Sequence, residues 1–253
     1  EITEKCKRLG GEKVGKRIQM IAFDMDGTIT QHKCPLGEEN KEVLDRLAQL
    51  YRLLIVGAGS GSRIFRQMGG YPIDILANYG MQEWEYCQER GEMEVVRNIS
   101  VRCDRESVDR RMDQLRRQFG YMNYAGESVE YHPSGCVTLP LLGTEADSRE
   151  KLSFDPDRSR RRAIYPYVKE LFLDYTVYVG GSSSFDLAPR PYSKYYALDR
   201  YCEERGLSHD QVVYVGDDYG PGGNDESIYR SDFTFYTIDD YRQLGTVLNE
   251  FLR

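Results

Sequence analysis

Three stretches of the chain place carboxylates, hydroxyls and glycines directly after short apolar runs. They are Asp24-Met25-Asp26-Gly27-Thr28, Gly57-Ala58-Gly59-Ser60-Gly61-Ser62 and Gly216-Asp217-Asp218. Clustered carboxylates are costly unless a cation neutralises them. Ligands that are all oxygen suit Mg2+, which keeps water and binds substrate phosphate. Backbone amides in a Gly-rich turn suit the phosphate itself. Together these groups fit phosphoryl transfer, which is largely positioning and charge stabilisation. An aspartate can also serve as the nucleophile, through an aspartyl-phosphate. Lys194 is the candidate cation. Taken alone, the D-x-D pair reads equally well as a metal-free capping turn. The stretch V-G-A-G-S-G-S also competes as a dinucleotide fingerprint. Against that, Ser62 replaces the third glycine, only Arg63 to Met68 follows as helix, and no carboxylate stands near the ribose position before Glu83.

These turns need a scaffold that brings them together. Arg17 to Phe23, Arg52 to Val56, Ile73 to Ala77, Gln211 to Val215 and Phe233 to Tyr236 read as buried strands. Helical patterns over Glu38 to Leu50, Ile64 to Met68, Tyr195 to Arg205 and Tyr241 to Phe251 fall before, between and after them. This alternation predicts a parallel α/β sheet, whose ligands bind outside the carboxyl ends of the strands. Between the halves the style changes. Hairpins are predicted about Gln88 to Gly91 and His132 to Gly135, with helices over Arg105 to Phe119 and Asp157 to Phe172 and short strands at Tyr175 to Val179 and Phe185 to Ala188. The fold class is therefore α/β, with a second α+β domain inserted. The expected division is a core of residues 18–97 and 188–253 and a cap of residues 98–187.

Phe23-Asp-Met-Asp-Gly-Thr-Ile-Thr30, Ser60, Lys194 and the run Gly216 to Asp225 resemble, in order, the four motifs of the haloacid-dehalogenase superfamily of phosphotransferases. Gly180 to Pro189, Ser193 to Leu198 and Pro221 to Asp225 narrow the resemblance to the eukaryotic-type phosphomannomutases, over most of the chain from about Ile18. The resemblance implies a Rossmann-like core with an inserted α+β cap. It implies Asp24 as nucleophile, Asp26 as acid and base, and Ser60 and Lys194 on the phosphoryl oxygens. Mg2+ would be held by Asp24, the Asp26 carbonyl, Asp217 and Asp225. Gly27, Thr28 and Gly61 would bind the transferring group, and Ser184 and Asp186 the sugar. Those mutases grip the distal phosphate with cap arginines, whose places here fall at His132, Thr144 and Lys151. Guanidinium binds phosphate bidentately and never deprotonates, so this exchange weakens the grip. The leading expectation is thus a Mg2+-dependent phosphatase acting on a small phosphorylated metabolite, a sugar phosphate first of all. The alternatives are a hexose-phosphate mutase and, behind it, a catalytically silent binding protein.

Composition bounds the partners. The 253 residues are 40% hydrophobic and 30% charged, with net charge −7. A nucleic-acid partner is not expected of so acidic a chain, and no apolar run approaches the ~20 residues of a membrane span. The basic run Arg158 to Arg162 reads as a solvated helix face or as an anion attractor at a domain mouth. The six cysteines form no C-x-x-C pair, and Glu1 to Arg17 contains no signal-like apolar region. Reduced thiols and a cytoplasmic location follow as expectations. Oligomeric state stays open, with a homodimer through the cap among the outcomes.

Overall fold

Met20–Phe23 carries four apolar residues in a row and forms β1, buried along its whole length in a central sheet. That unbroken apolar pattern belongs to strands covered on both faces. The computed structural model describes residues 17–253, so the readings made on Glu1 to Lys16, Cys6 included, lie outside the described residues. After β1 come α1 (Glu38–Leu47), β2 (Arg52–Val56), α2 (Gly61–Gln67) and β3 (Asp74–Ala77), then the antiparallel hairpin β4 (Gln82–Cys87) and β5 (Glu92–Asn98). The chain next builds α3 (Arg105–Phe119), β6 (Glu130–Tyr131), β7 (Val137–Pro140), α4 (Ser148–Phe154), α5 (Ser159–Leu171), β8 (Tyr175–Tyr178) and β9 (Ser184–Pro189). It returns through α6 (Lys194–Glu204), β10 (Val212–Gly216), α7 (Glu226–Tyr229), β11 (Thr234–Thr237) and α8 (Leu244–Val247).

The result is a seven-stranded sheet in the order β11-β10-β1-β2-β3-β4-β5 and a four-stranded sheet in the order β6-β7-β9-β8. From β11 to β3 the large sheet is parallel, and β4 and β5 extend it antiparallel. The register sets Phe23 beside Val215 and Ile55, so the turns after β1, β2 and β10 open at one edge. Separate apolar clusters fill the two faces of this sheet, about Ile55 and Val215 on one and Leu54 and Tyr214 on the other. The small sheet packs on its own cluster with α3 and α5, around Met112, Val168 and Phe185.

The cap also buries charge. Arg116 is fully buried, and its guanidinium donates to Ser128 Oγ and to the carbonyls of Tyr121, Pro140 and Leu141 at 2.7–2.9 Å. Arg161, also buried, pairs with Asp155 at 2.8 Å and donates to the Gly180 and Ser184 carbonyls. A buried charge is tolerated only when its hydrogen bonds are met in this way.

Cap and core meet at defined points. Tyr79, just after β3, stacks on Tyr178 of β8 with ring centres 4.8 Å apart. Val179 N–H donates to the Gly222 carbonyl at 2.8 Å, and Arg158 pairs with Asp218 at 2.5 Å.

Two local expectations change. The helix read over Tyr241 to Phe251 is broken into a 3-10 turn, the short α8 and a second 3-10 turn. Gly245 and Thr246 are weak helix formers, while Leu244, Leu248 and Phe251 are each pinned in the core. Helix α4 was not legible because none of its residues is buried, which leaves no apolar periodicity to read. Pro166 lies inside α5.

Candidate active site

Asp24 follows β1 directly, and its N–H donates to the Val215 carbonyl of β10 at 2.9 Å. The following turn closes on itself: Thr28, Ile29 and Thr30 donate to the Met25 carbonyl, and Gly27 donates to that of Thr30. Gly27 has φ 91, a left-handed conformation that favours glycine. A Cβ there would also collide with the Asp217 carboxylate. Glycine thus lets the β1 and β10 turns approach each other.

Lys194 arrives from the far side of the sequence. Ser193 caps α6 by accepting the Tyr196 N–H at 3.0 Å, which sets Lys194 as the first helical residue. Its side chain is fully buried and bridges Asp24 Oδ1 at 2.5 Å and Asp225 Oδ1 at 2.8 Å. Asp225 accepts further hydrogen bonds from the Tyr214 hydroxyl at 2.6 Å and the Asp218 N–H at 3.1 Å. Carboxylate oxygens of Asp24, Asp217 and Asp225 lie within 4.8 Å of one another. Burial pushes the Asp24 carboxyl well up; Lys194 opposes this, and Asp225 and Asp217 add to it. Burial, then Asp225, pushes Asp217 up to about 6. Burial works against the Lys194 charge, but Asp225 and Asp24 outweigh it and raise the ammonium above its ordinary value. One ammonium does not neutralise three clustered carboxylates, and an all-oxygen donor set suits a hard divalent cation. The residues therefore fit Mg2+.

Asp26 is set apart. It accepts from Lys33 N–H at 2.8 Å, Gln67 at 2.7 Å and the Arg63 guanidinium at 2.6 Å. Burial would raise its carboxyl, but the Gln67, Lys33 and Arg63 donors outweigh that and hold it below the usual range. Thr28 Oγ1 stands 3.4 Å from Asp24 Oδ2.

A cavity of about 760 Å³ opens over Asp24, Asp26 and Asp217, roofed by Asp186, Ser182 and Arg158 of the cap. Some residues singled out from the sequence stand elsewhere. Ser60 caps α2, accepting the Arg63 N–H at 3.4 Å, and Gly61 N–H donates to Gln82 Oε1 at 2.9 Å. Neither residue lines the cavity, whereas Gly57, Ala58 and Gly59 do. Ser184 Oγ donates to the Gly180 carbonyl at 3.2 Å, and Lys151 Nζ to the Thr144 carbonyl at 2.8 Å; neither reaches the cavity wall. His32, Lys33 and Arg63 were missed and do line it. Their signal was proximity: two stand shortly after the D-x-D-G-T turn, and one sits on the first turn of the helix after the Gly-rich loop.

A parallel sheet with a four-stranded cap over strand-end carboxylates and a buried lysine is the architecture of a haloacid-dehalogenase-superfamily phosphotransferase. Solved structures support the fold. An IMP-nucleotidase of Plasmodium falciparum with IMP bound superposes with TM-score 0.66 at 12% identity, covering 93% of this chain and 68% of that one. A phosphatase of the superfamily from Bacteroides thetaiotaomicron gives 0.61 at 14% identity, covering 97% and 99%. The sequence comparison is narrower: the profile of the eukaryotic phosphomannomutase family matches residues 40–243, and the chain belongs to that family. A phosphomannomutase of Drosophila melanogaster is 26% identical over 245 residues, covering 91% of this chain and 95% of the fly protein. One of Schizosaccharomyces pombe is 25% identical over 222 residues, covering 83% and 84%.

Proposed function

We propose that the chain moves a phosphoryl group between two hydroxyls of a hexose phosphate through an aspartyl-phosphate on Asp24. The relatives' names favour this mutase reading over the phosphatase placed first from the cap substitutions. The observation that carries it is the cavity. Its volume suits a small metabolite, and Lys33, Arg63 and Arg158 stand on its walls, Arg63 paired with Asp26 and Arg158 with Asp218. That is room for a sugar that turns end for end while phosphorylated at both ends, with basic side chains on the wall that a second phosphate would have to draw from their carboxylate partners.

The Asp24 carboxylate attacks phosphorus as the bond to the sugar oxygen breaks, and Asp26 in its protonated form gives that oxygen its proton. In the second half Asp26 takes the proton of the incoming hydroxyl, which attacks the aspartyl-phosphate and regenerates Asp24. Its three donors favour the ionised form needed for that half. Lys194 holds Asp24 in place and balances charge. Mg2+, held by Asp24, Asp217, Asp225 and the Asp26 carbonyl, would neutralise the charge of the transferring group.

Hydrolysis is the second reading, and the positions of the missing arginines favour it. His132 bonds Thr138, Thr144 Oγ1 accepts the Glu127 N–H, and Lys151 bonds the Thr144 carbonyl, all within the cap. The test is isomer formation against phosphate release, with mannose 1-phosphate and glucose 1-phosphate as substrates. Isomerisation faster than release is expected. Release without isomer would give the hydrolase.

A further inference from the structure

Asp186 is the one cavity-wall carboxylate that lies on the cap sheet, and it is held by a chain of side chains with no role so far. Thr138 Oγ1 on β7 donates to Asp186 Oδ1 across the strand pair at 2.9 Å, where the two residues are register partners. His132 Nε2 lies 3.0 Å from the same Thr138 oxygen. A hydroxyl has one proton, and here it points to Asp186. The Thr138 oxygen can then only accept, so His132 must present Nε2–H. The direction of the whole chain follows: His132 donates to Thr138, and Thr138 donates to Asp186. A Cβ at Gly180 would collide with the Asp186 carboxylate, so glycine there leaves the group its place on the wall.

We propose that Thr138 and His132 are positioning residues that aim Asp186 as an acceptor for a substrate hydroxyl at the cap end of the cavity. This rests on the sugar-phosphate reading above, whichever acceptor the phosphoryl group finally meets. One Asp186 oxygen is occupied by Thr138, which leaves the other to take an O–H from the ligand. A carboxylate fixed from behind discriminates among hydroxyl configurations, because a misplaced hydroxyl leaves a buried acceptor unpaired. It also gives His132 a use. At a place where the resembling mutases carry an arginine for phosphate, this ring turns into the sheet and serves hydroxyl recognition.

The experiment compares KM and kcat for mannose 1-phosphate, glucose 1-phosphate and p-nitrophenyl phosphate, the last offering no sugar hydroxyl. Thr138→Val removes the donor at nearly constant volume. The KM for the better hexose phosphate should rise about tenfold, at least fivefold more than for p-nitrophenyl phosphate, with kcat changing less than KM. The mannose-to-glucose preference should shrink. Thr138→Ser keeps the hydroxyl and should restore KM to within about twofold. His132→Gln, which still offers an N–H, should outperform His132→Leu. Equal KM changes for all three substrates, or a Thr138→Ser variant no better than Thr138→Val, would overturn the relay. A wild-type protein that turns over p-nitrophenyl phosphate but no hexose phosphate overturns the sugar reading and the relay with it. Hexose-phosphate turnover with an unmoved KM in Thr138→Val overturns the relay alone. If Thr138→Val does not fold, the Thr138→Ser and His132 comparisons decide.

Discussion

Two carboxylates separated by a single residue, Met25, have opposite surroundings. Asp24 is buried against Lys194, Asp217 and Asp225, whereas Asp26 is held by three donors and leans out towards Arg63. Their roles separate on that basis. On the proposed mechanism Asp24→Asn removes the nucleophile, so turnover and any trapped aspartyl-phosphate should disappear; near wild-type turnover in a purified, folded variant would refute the mechanism. Asp26→Asn should slow turnover about 10²-fold or more, the scale of losing a general acid or base. The same carboxylate geometry leads us to expect metal-dependent activity. Asp217→Ala should raise the Mg2+ requirement steeply, and undiminished turnover in excess EDTA would exclude a metal at Asp24, Asp217 and Asp225.

Between elements, His209 is a brace away from the chemistry. It lies just before β10 and bonds Asp199 of α6 at 2.8 Å and Asp232, ahead of β11, at 2.6 Å. Its ring stacks on Phe233 with centres 3.8 Å apart. Burial disfavours its charge, but the Asp232 and Asp199 bonds outweigh that and raise its pKa. A group whose native pKa is raised stabilises fully below its unfolded value, about 6.5, and loses that contribution as pH rises through the native value. The difference in Tm between wild type and His209→Gln should therefore be largest near pH 6 and shrink by pH 8.5. A constant or growing difference would show that the brace works through packing on Phe233 instead of charge.

Across the whole molecule, contacts that hold the cap over the sheet edge run into the carboxylate loop. Arg158, with φ 61 at the start of α5, reaches Asp218 in the loop that ends at Asp225. Asp218 in turn receives the Asn224 N–H at 3.2 Å, and its own N–H donates to Asp225. Cap closure and the carboxylate cluster are thus joined through one loop. Arg158→Ala should increase hydrogen exchange across residues 217–225 and raise phosphate release relative to isomer formation, as water gains entry. Exchange and product ratio both unchanged would mean that the Tyr79–Tyr178 stack and the Val179–Gly222 bond close the cap without it.

The parallel core, its inserted α+β cap, and Asp24, Asp26, Lys194 and Asp217 were legible as candidates from residues alone, while Asp225 came from the family resemblance. Strands buried on both faces must be continuously apolar, and the turns that follow them must be polar and small, so local composition carries both signals. The sequence could not show which side chains those turns aim inward. Ser60 and Ser62 sit in the same Gly-rich stretch as Gly59, yet α2 begins at Gly61 and turns the Ser60 hydroxyl into its cap. In the cap, Ser184 and Asp186 share one strand face, but only Asp186 reaches the wall, because the Ser184 hydroxyl folds back to the Gly180 carbonyl. His132 and Thr138 share one hairpin, but Asp186 is far from both in the chain and becomes their neighbour only through the pairing of β7 with β9. Side-chain direction at a loop or sheet face depends on partners distant in sequence, and those partners exist only once the sheets have formed.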